Sequence, residues 1–249
     1  MKLLIAVSLV ASSLGAWAQV TNAKVTFNEQ VKFKIDLEGE AAQFANLLPK
    51  EQKSQYELHF TQDKSFYRTL SKSVEEQSSV DPDGGQMQIK INRPQVSAFL
   101  DLTAKKRIEQ KEFLTRKFIV ESELASADWK ITTNQKMILG YPCQEAIKQD
   151  SAKSVHVWFT PAIPVSTGPA GFEGLPGLVL AVEAMDGDYK IEAATIETGK
   201  ADQSLMIKPT EGKKMSKEAY EKMVKEKQAE MGVTGGNGKP NVMIRVENR

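Results

Sequence analysis

The stretch Gly168–Met185, GPAGFEGLPGLVLAVEAM, constrains the fold of this chain more than any other. As far as Gly177 it carries a glycine or proline at almost every second position. Proline lacks the donor a strand ladder needs and glycine opens backbone angles closed to other residues, so Gly168–Pro176 must be a tightly turned loop. The chain then changes character. In Leu178–Met185 both alternating sets are apolar, Leu178, Leu180, Val182 and Ala184 against Val179, Ala181 and Met185, the pattern of a strand covered on both faces.

Upstream, the period is that of strands. Val25 and Phe27, then Val31, Phe33 and Ile35, alternate with polar residues across Lys24–Asp36, with the strand expected to be extended or bulged around Asn28–Gln30. Glu40–Leu48 fits a short amphipathic helix closed by Pro49 and tucked against the sheet. Tyr56–Phe60 and Phe66–Leu70 form a hairpin about Gln62–Lys64. Ser71–Gly85 is acidic, serine-rich and ends in Asp81-Pro82-Asp83-Gly84-Gly85, so it is expected as a flexible surface loop. Short strands then recur at Met87–Ile91, Ala98–Leu102, Arg107–Leu114, Lys117–Glu123, Trp129–Thr132, Lys136–Leu139, Cys143–Lys148 and Val155–Thr160. Asp186-Gly187-Asp188 turns the chain into a last strand, Tyr189–Glu197.

Many short strands with brief turns imply a mainly β, antiparallel meander, because parallel pairing needs long crossovers. The expected product is a curved sheet or partly open β-barrel, with a sandwich as the alternative; by analogy of architecture alone it resembles periplasmic lipoprotein carriers. One β domain is expected over 19–210. The tail, 211–249, has a different pattern. Ser216 caps a helix to about Met231, Gly232–Asn241 is a linker, and Val242, Ile244 and Val246 alternate as a possible edge strand.

Met1–Ala18 reads as a secretory leader, with Lys2, an apolar run Leu3–Leu14 and the A-x-A-like exit Ala16-Trp17-Ala18, and no later run approaches a membrane span. A periplasmic or secreted location follows. There are 33 Lys and Arg against 32 Asp and Glu, and Lys2 leaves with the leader. A neutral chain exerts no long-range pull on nucleic acid or an anionic membrane, so neither is expected as a partner. The single cysteine, Cys143, excludes an intrachain disulfide.

Val157-Trp158-Phe159-Thr160, then Gly168-Pro169, Phe172 and Gly174-Leu175-Pro176-Gly177-Leu178-Val179, resemble the signature of the GLPGLI family of exported Bacteroidota proteins. Gly140, Tyr141, Cys143 and Ala146 resemble the block that precedes it. The resemblance implies an exported, β-rich protein, often encoded near TonB-dependent outer-membrane receptors. It supplies no activity and no catalytic residues.

Candidate sites are few. Cys143 reads as a small buried hydrophobe. His59 lies on the strand face opposite Tyr56, Leu58 and Phe60, where solvent is expected; His156 shares a face with Trp158 and could line a ligand pocket with it. The irregularly spaced methionines read as packing, and Asp186 and Asp188 as turn formers. Phe172 and Leu175 either anchor a ligand at the Gly168–Gly177 loop or plug the sheet as a latch. No nucleophile elbow, zinc-spaced histidine pair or Cys-x-x-Cys is present. The expectation is therefore a non-enzymatic binding, carrier or envelope-assembly protein without cofactor or metal, taking an apolar or peptide ligand through Phe172, Leu175, His156 and Trp158. An accessory partner of a TonB-dependent receptor is the alternative, and a Cys/His redox or hydrolytic enzyme the third.

Overall fold

The computed structural model describes residues 20–32, 50–70, 77–80, 87–90, 95–124, 128–150 and 153–230. The expected leader, the helix expected at Glu40–Leu48, and the linker and edge strand expected after residue 230 lie outside them.

In chain order the strands are β1 (Ala23–Lys32), β2 (Glu51–Phe60), β3 (Lys64–Thr69), β4 (Gln77–Val80), β5 (Met87–Lys90), β6 (Ser97–Asp101), β7 (Lys106–Phe113) and β8 (Arg116–Glu123). They continue as β9 (Lys130–Ile138), β10 (Tyr141–Asp150), β11 (Lys153–Thr160), β12 (Leu178–Ala184), β13 (Tyr189–Thr198) and β14 (Lys213–Ser216), before the α-helix α1 (Lys217–Glu230). Twelve strands form one sheet in the order β14-β8-β7-β6-β3-β2-β1-β13-β12-β11-β10-β9. Its two ends do not pair, so the mainly β fold is an open sheet and not a closed barrel. β1 joins two meanders by pairing with β2 on one side and β13 on the other.

Several details depart from the sequence pattern. β1 runs extended through Asn28–Gln30, and the register shift falls at Thr26/Phe27 instead. The expected loop Ser71–Gly85 contains β4, which pairs with β5 as a separate hairpin. The two strands expected at Trp129–Thr132 and Lys136–Leu139 are one edge strand, β9. The tail does not stand wholly apart, because β14 adds to β8 as a parallel pair. α1 follows directly, its first turn capped by Ser216 Oγ, which accepts from the Ala219 N–H at 3.2 Å.

Residues directly paired across a ladder share a face. By that rule Phe27, Leu58, Tyr67 and Ala98 line one face, and all four are buried. The same face continues through Arg107 and Glu109 on β7 to Phe118 on β8, where Tyr220 of α1 packs edge-on, 5.6 Å between ring centres. Phe66, Phe99, Ile108 and Ile119 point the other way and form a second cluster, closed by Met206, Ala201 and Leu205. That second layer explains His59. Its strand parity is as the sequence implies, but it is 2% exposed, because the segment carrying Asp202 lies over it.

Candidate functional site

The loop 161–177 is fastened to the first face at several points. Leu178 N–H donates to Ile163 O and Val179 N–H to Thr167 O, both at 3.0 Å, so the loop runs beside the start of β12. Close approach at Gly168 and Gly177 makes this possible, since a Cβ at either would sit 2.2 Å from a carbonyl oxygen. Ile163, Val165 and Leu175 are buried in the main core, and Phe172 is half-buried against it.

Polar anchors add to these. Arg107 Nη1 donates to both carboxylate oxygens of Glu173, at 3.1 and 2.9 Å, while its Nη2 donates to Glu109 at 2.8 Å. Burial works against the guanidinium charge, but the two carboxylates outweigh it and hold Arg107 more firmly protonated. At Glu109 burial is outweighed by Arg107 and Lys111 and the carboxyl falls below its ordinary range; at Glu173 burial prevails and it rises. Trp129 Nε1–H also donates to the Glu173 carbonyl, at 3.2 Å. Phe172 and Leu175 thus stand in a closed latch. Sequence reasoning does not single out Arg107 and Glu173, although a lone acid in an apolar loop facing an inward arginine is a signal for them.

His156 and Trp158 occupy the other side of β11 from the buried Val157, on a half-exposed surface built by β9, β10 and β11. The four sequence candidates therefore divide between a surface and a core. The register sets Glu145 beside Trp158 and Ile147 beside His156, and a hydrogen-bonded line results. Ser154 Oγ lies 3.0 Å from His156 Nε2, and His156 Nδ1 lies 2.7 Å from Glu145 Oε1. The other carboxylate oxygen of Glu145 accepts from Thr132 Oγ1 and Asn134 Nδ2, each at 2.8 Å. Burial raises the Glu145 carboxyl, but the bonds from His156, Thr132 and Asn134 outweigh it and hold the group below the usual carboxylate range. Lys136 Nζ sits 4.4 Å from the centre of the Trp158 ring. Sequence reasoning misses all five: Ser154 shares the face of His156 by alternation along β11, and Glu145, Thr132, Asn134 and Lys136 come to it through the β9–β10–β11 register.

The remaining candidates are structural. Cys143 is a free thiol, 1% exposed, and burial pushes it up to about 11, which suppresses thiolate chemistry. The Asp202 N–H donates to His59 Nδ1 at 3.0 Å, which leaves the proton on Nε2, 3.2 Å from Glu57. Asp186 sits in a turn of 3-10 helix between β12 and β13 with φ of 56°. Among the described residues no three His, Cys, Asp or Glu side chains group as a metal site, and no helix is long and apolar enough to cross a membrane.

Comparison with known proteins gives the lineage. Residues 48–222 match the family model described as N-glycanase peptide, N-terminal domain. Two solved structures of PNGF-II, in the P21 and C2 space groups, share the fold with TM-scores of 0.53 at 18% and 17% identity. The matches cover 84% and 83% of this chain but 34% and 33% of those chains, so this chain spans about a third of the length of the structures it matches. No curated protein matches the sequence. The family match overturns the GLPGLI resemblance, whose glycines and prolines reflect the close-packed loop. It also overturns the expectation of a non-enzymatic carrier, since the matched family is the N-terminal domain of an N-glycanase.

Proposed function

The chain belongs to the N-glycanase N-terminal domain family, and we propose on that footing that it acts in the release of N-linked glycans, as the part that engages the glycosylated peptide. The observation that carries this is the extent of the match, 48–222, which runs from β2 into α1 and contains the whole β9–β11 surface.

The chemistry of that surface supports the proposal. A pyranose ring offers an apolar C–H face and a rim of hydroxyls, and it is held by an aromatic face bordered by polar side chains. Trp158 supplies the first, and Thr132, Asn134 and Lys136 the second. The Lys136 side chain is exposed and can leave the indole when a sugar ring arrives.

The experiment is a titration of the full chain with an N-glycopeptide and with the same peptide lacking the glycan, followed by indole N–H resonances. The Trp158 signal is expected to shift with the glycopeptide alone, and Trp158→Ala to remove the binding. Equal responses to the two peptides would exclude the glycan as the ligand.

A further inference from the structure

Among the described residues outside the 161–177 loop, Ser154, His156 and Glu145 have the connectivity of a reactive site, and nothing in N-glycan engagement requires it. We propose that Ser154 is a nucleophilic hydroxyl, with His156 as its base and Glu145 as the positioning acid, and that it takes an acyl group from carboxylic esters.

The argument starts from the imidazole. His156 Nδ1 is 2.7 Å from Glu145 Oε1, and a carboxylate only accepts, so Nδ1 carries the proton. In the neutral ring Nε2 is then the acceptor. The Ser154 hydroxyl, 3.0 Å away, donates to it. This is the order hydroxyl, imidazole, carboxylate of the serine triads. Glu145 is itself held in place by Thr132 and Asn134 and is 5% exposed, so the imidazole cannot turn without breaking its bond to a carboxylate that is already anchored. The His156 side chain is 38% exposed and Ser154 half-exposed, so an ester can approach the hydroxyl from solvent.

The step balances within these groups. Ser154 Oγ bonds to the ester carbonyl carbon as its proton passes to His156 Nε2. The adduct collapses with cleavage of the ester C–O bond, and the departing alkoxide takes the proton back from Nε2. Water then attacks the acyl-serine by the same proton route and frees the acid. The nearby β11 backbone is engaged in ladders with β10 and β12, and a preorganised oxyanion site is usually the largest rate term. The measurable event is accordingly stoichiometric acylation rather than fast turnover.

The test treats the full chain with a fluorophosphonate probe and, separately, with p-nitrophenyl acetate, followed by intact mass and peptide mapping. A single adduct on Ser154 is expected from each reagent, absent in Ser154→Ala. His156→Gln should slow labelling about 100-fold or more, the range of general-base assistance. Glu145→Gln should slow it less, with the circular-dichroism spectrum of all three variants unchanged. Absence of a Ser154 adduct under conditions that label a control serine hydrolase would overturn the proposal, as would labelling indifferent to His156→Gln. Neither reagent contains a sugar, so failure here leaves the glycopeptide titration unaffected, and the reverse holds.

Discussion

The hydroxyls of Ser65 on β3 and Thr167 in the 161–177 loop meet 2.8 Å apart, both fully buried. They pin the loop to the middle of the sheet, about a hundred residues away in sequence, at a place where either hydroxyl alone would be orphaned. Removing one leaves the other desolvated, which costs about 1–3 kcal/mol, whereas removing both abolishes the polar demand. Ser65→Ala and Thr167→Val should each destabilise by that amount, and the double variant by about as much as one single. Denaturant melts of the four proteins form the cycle; strict additivity would mean that the hydroxyls do not interact.

The same loop gives a steric prediction. An added methyl at Gly177 would sit 2.2 Å from the Thr160 carbonyl oxygen and 2.7 Å from its carbon, atoms of β11 that cannot step aside. At Gly140, in the β9–β10 turn, φ is +81° but nothing lies within 4 Å. Gly140→Ala carries only the left-handed penalty, about 1 kcal/mol. Gly177→Ala should lose about 3 kcal/mol or more, as overpacking against backbone does. Similar midpoint shifts for the two would contradict the close approach.

Glu145 ties acid stability to the His156 network. Its carboxyl is held below the usual range in the folded chain, so the stability it contributes is present above the unfolded value of about 4.3 and fades as pH falls through the folded one. At pH 7, Glu145→Gln should cost about 1–3 kcal/mol, the scale of hydrogen bonds to a charged group. The gap from the parent protein should narrow between about pH 5 and pH 3. A gap that stays constant over that window would show that the charge carries none of it.

Where a strand has a covered face the sequence announces it: Val25 and Phe27, and Leu58 and Phe60, fall where alternation places them, and the two apolar sets of β12 mark a strand covered on both faces. β9 reads as two strands because it is an edge, exposed at Asn134 and Gln135, with no inward pattern to join its halves. β14 escapes notice because Lys213 and Lys214 bury nothing and its partner β8 lies far away in sequence. The error at His59 has the same origin, since the cover over its face is built by Met206 and its neighbours. For the site, alternation alone places His156 and Trp158 together. Ser154, two residues before His156 on β11, shares that face by the same alternation, whereas Glu145 reaches them through the β10–β11 register, which pairs it with Trp158, and no local pattern encodes that register. The glycine and proline motif points to the wrong lineage because it reports a backbone geometry, and unrelated chains that need the same tight turn meet it with the same residues.

Two tyrosines on the first face make opposite predictions for the same change. Tyr67 is 2% exposed and its ring stacks on Tyr56, 5.2 Å between centres and 15° between planes, but its hydroxyl has no hydrogen-bond partner. Tyr189 OH donates to Glu29 Oε2 at 3.0 Å. Removing a buried hydroxyl without a partner removes a desolvation penalty and keeps the ring, so Tyr67→Phe should leave stability unchanged or raise it by about 1 kcal/mol. Tyr189→Phe deletes a bond to a carboxylate and should cost about 1.5–3 kcal/mol. Thermal and denaturant melts of the two variants decide the matter. A clear loss at Tyr67→Phe would mean that its hydroxyl is satisfied in solution, by an ordered water held within the sheet face.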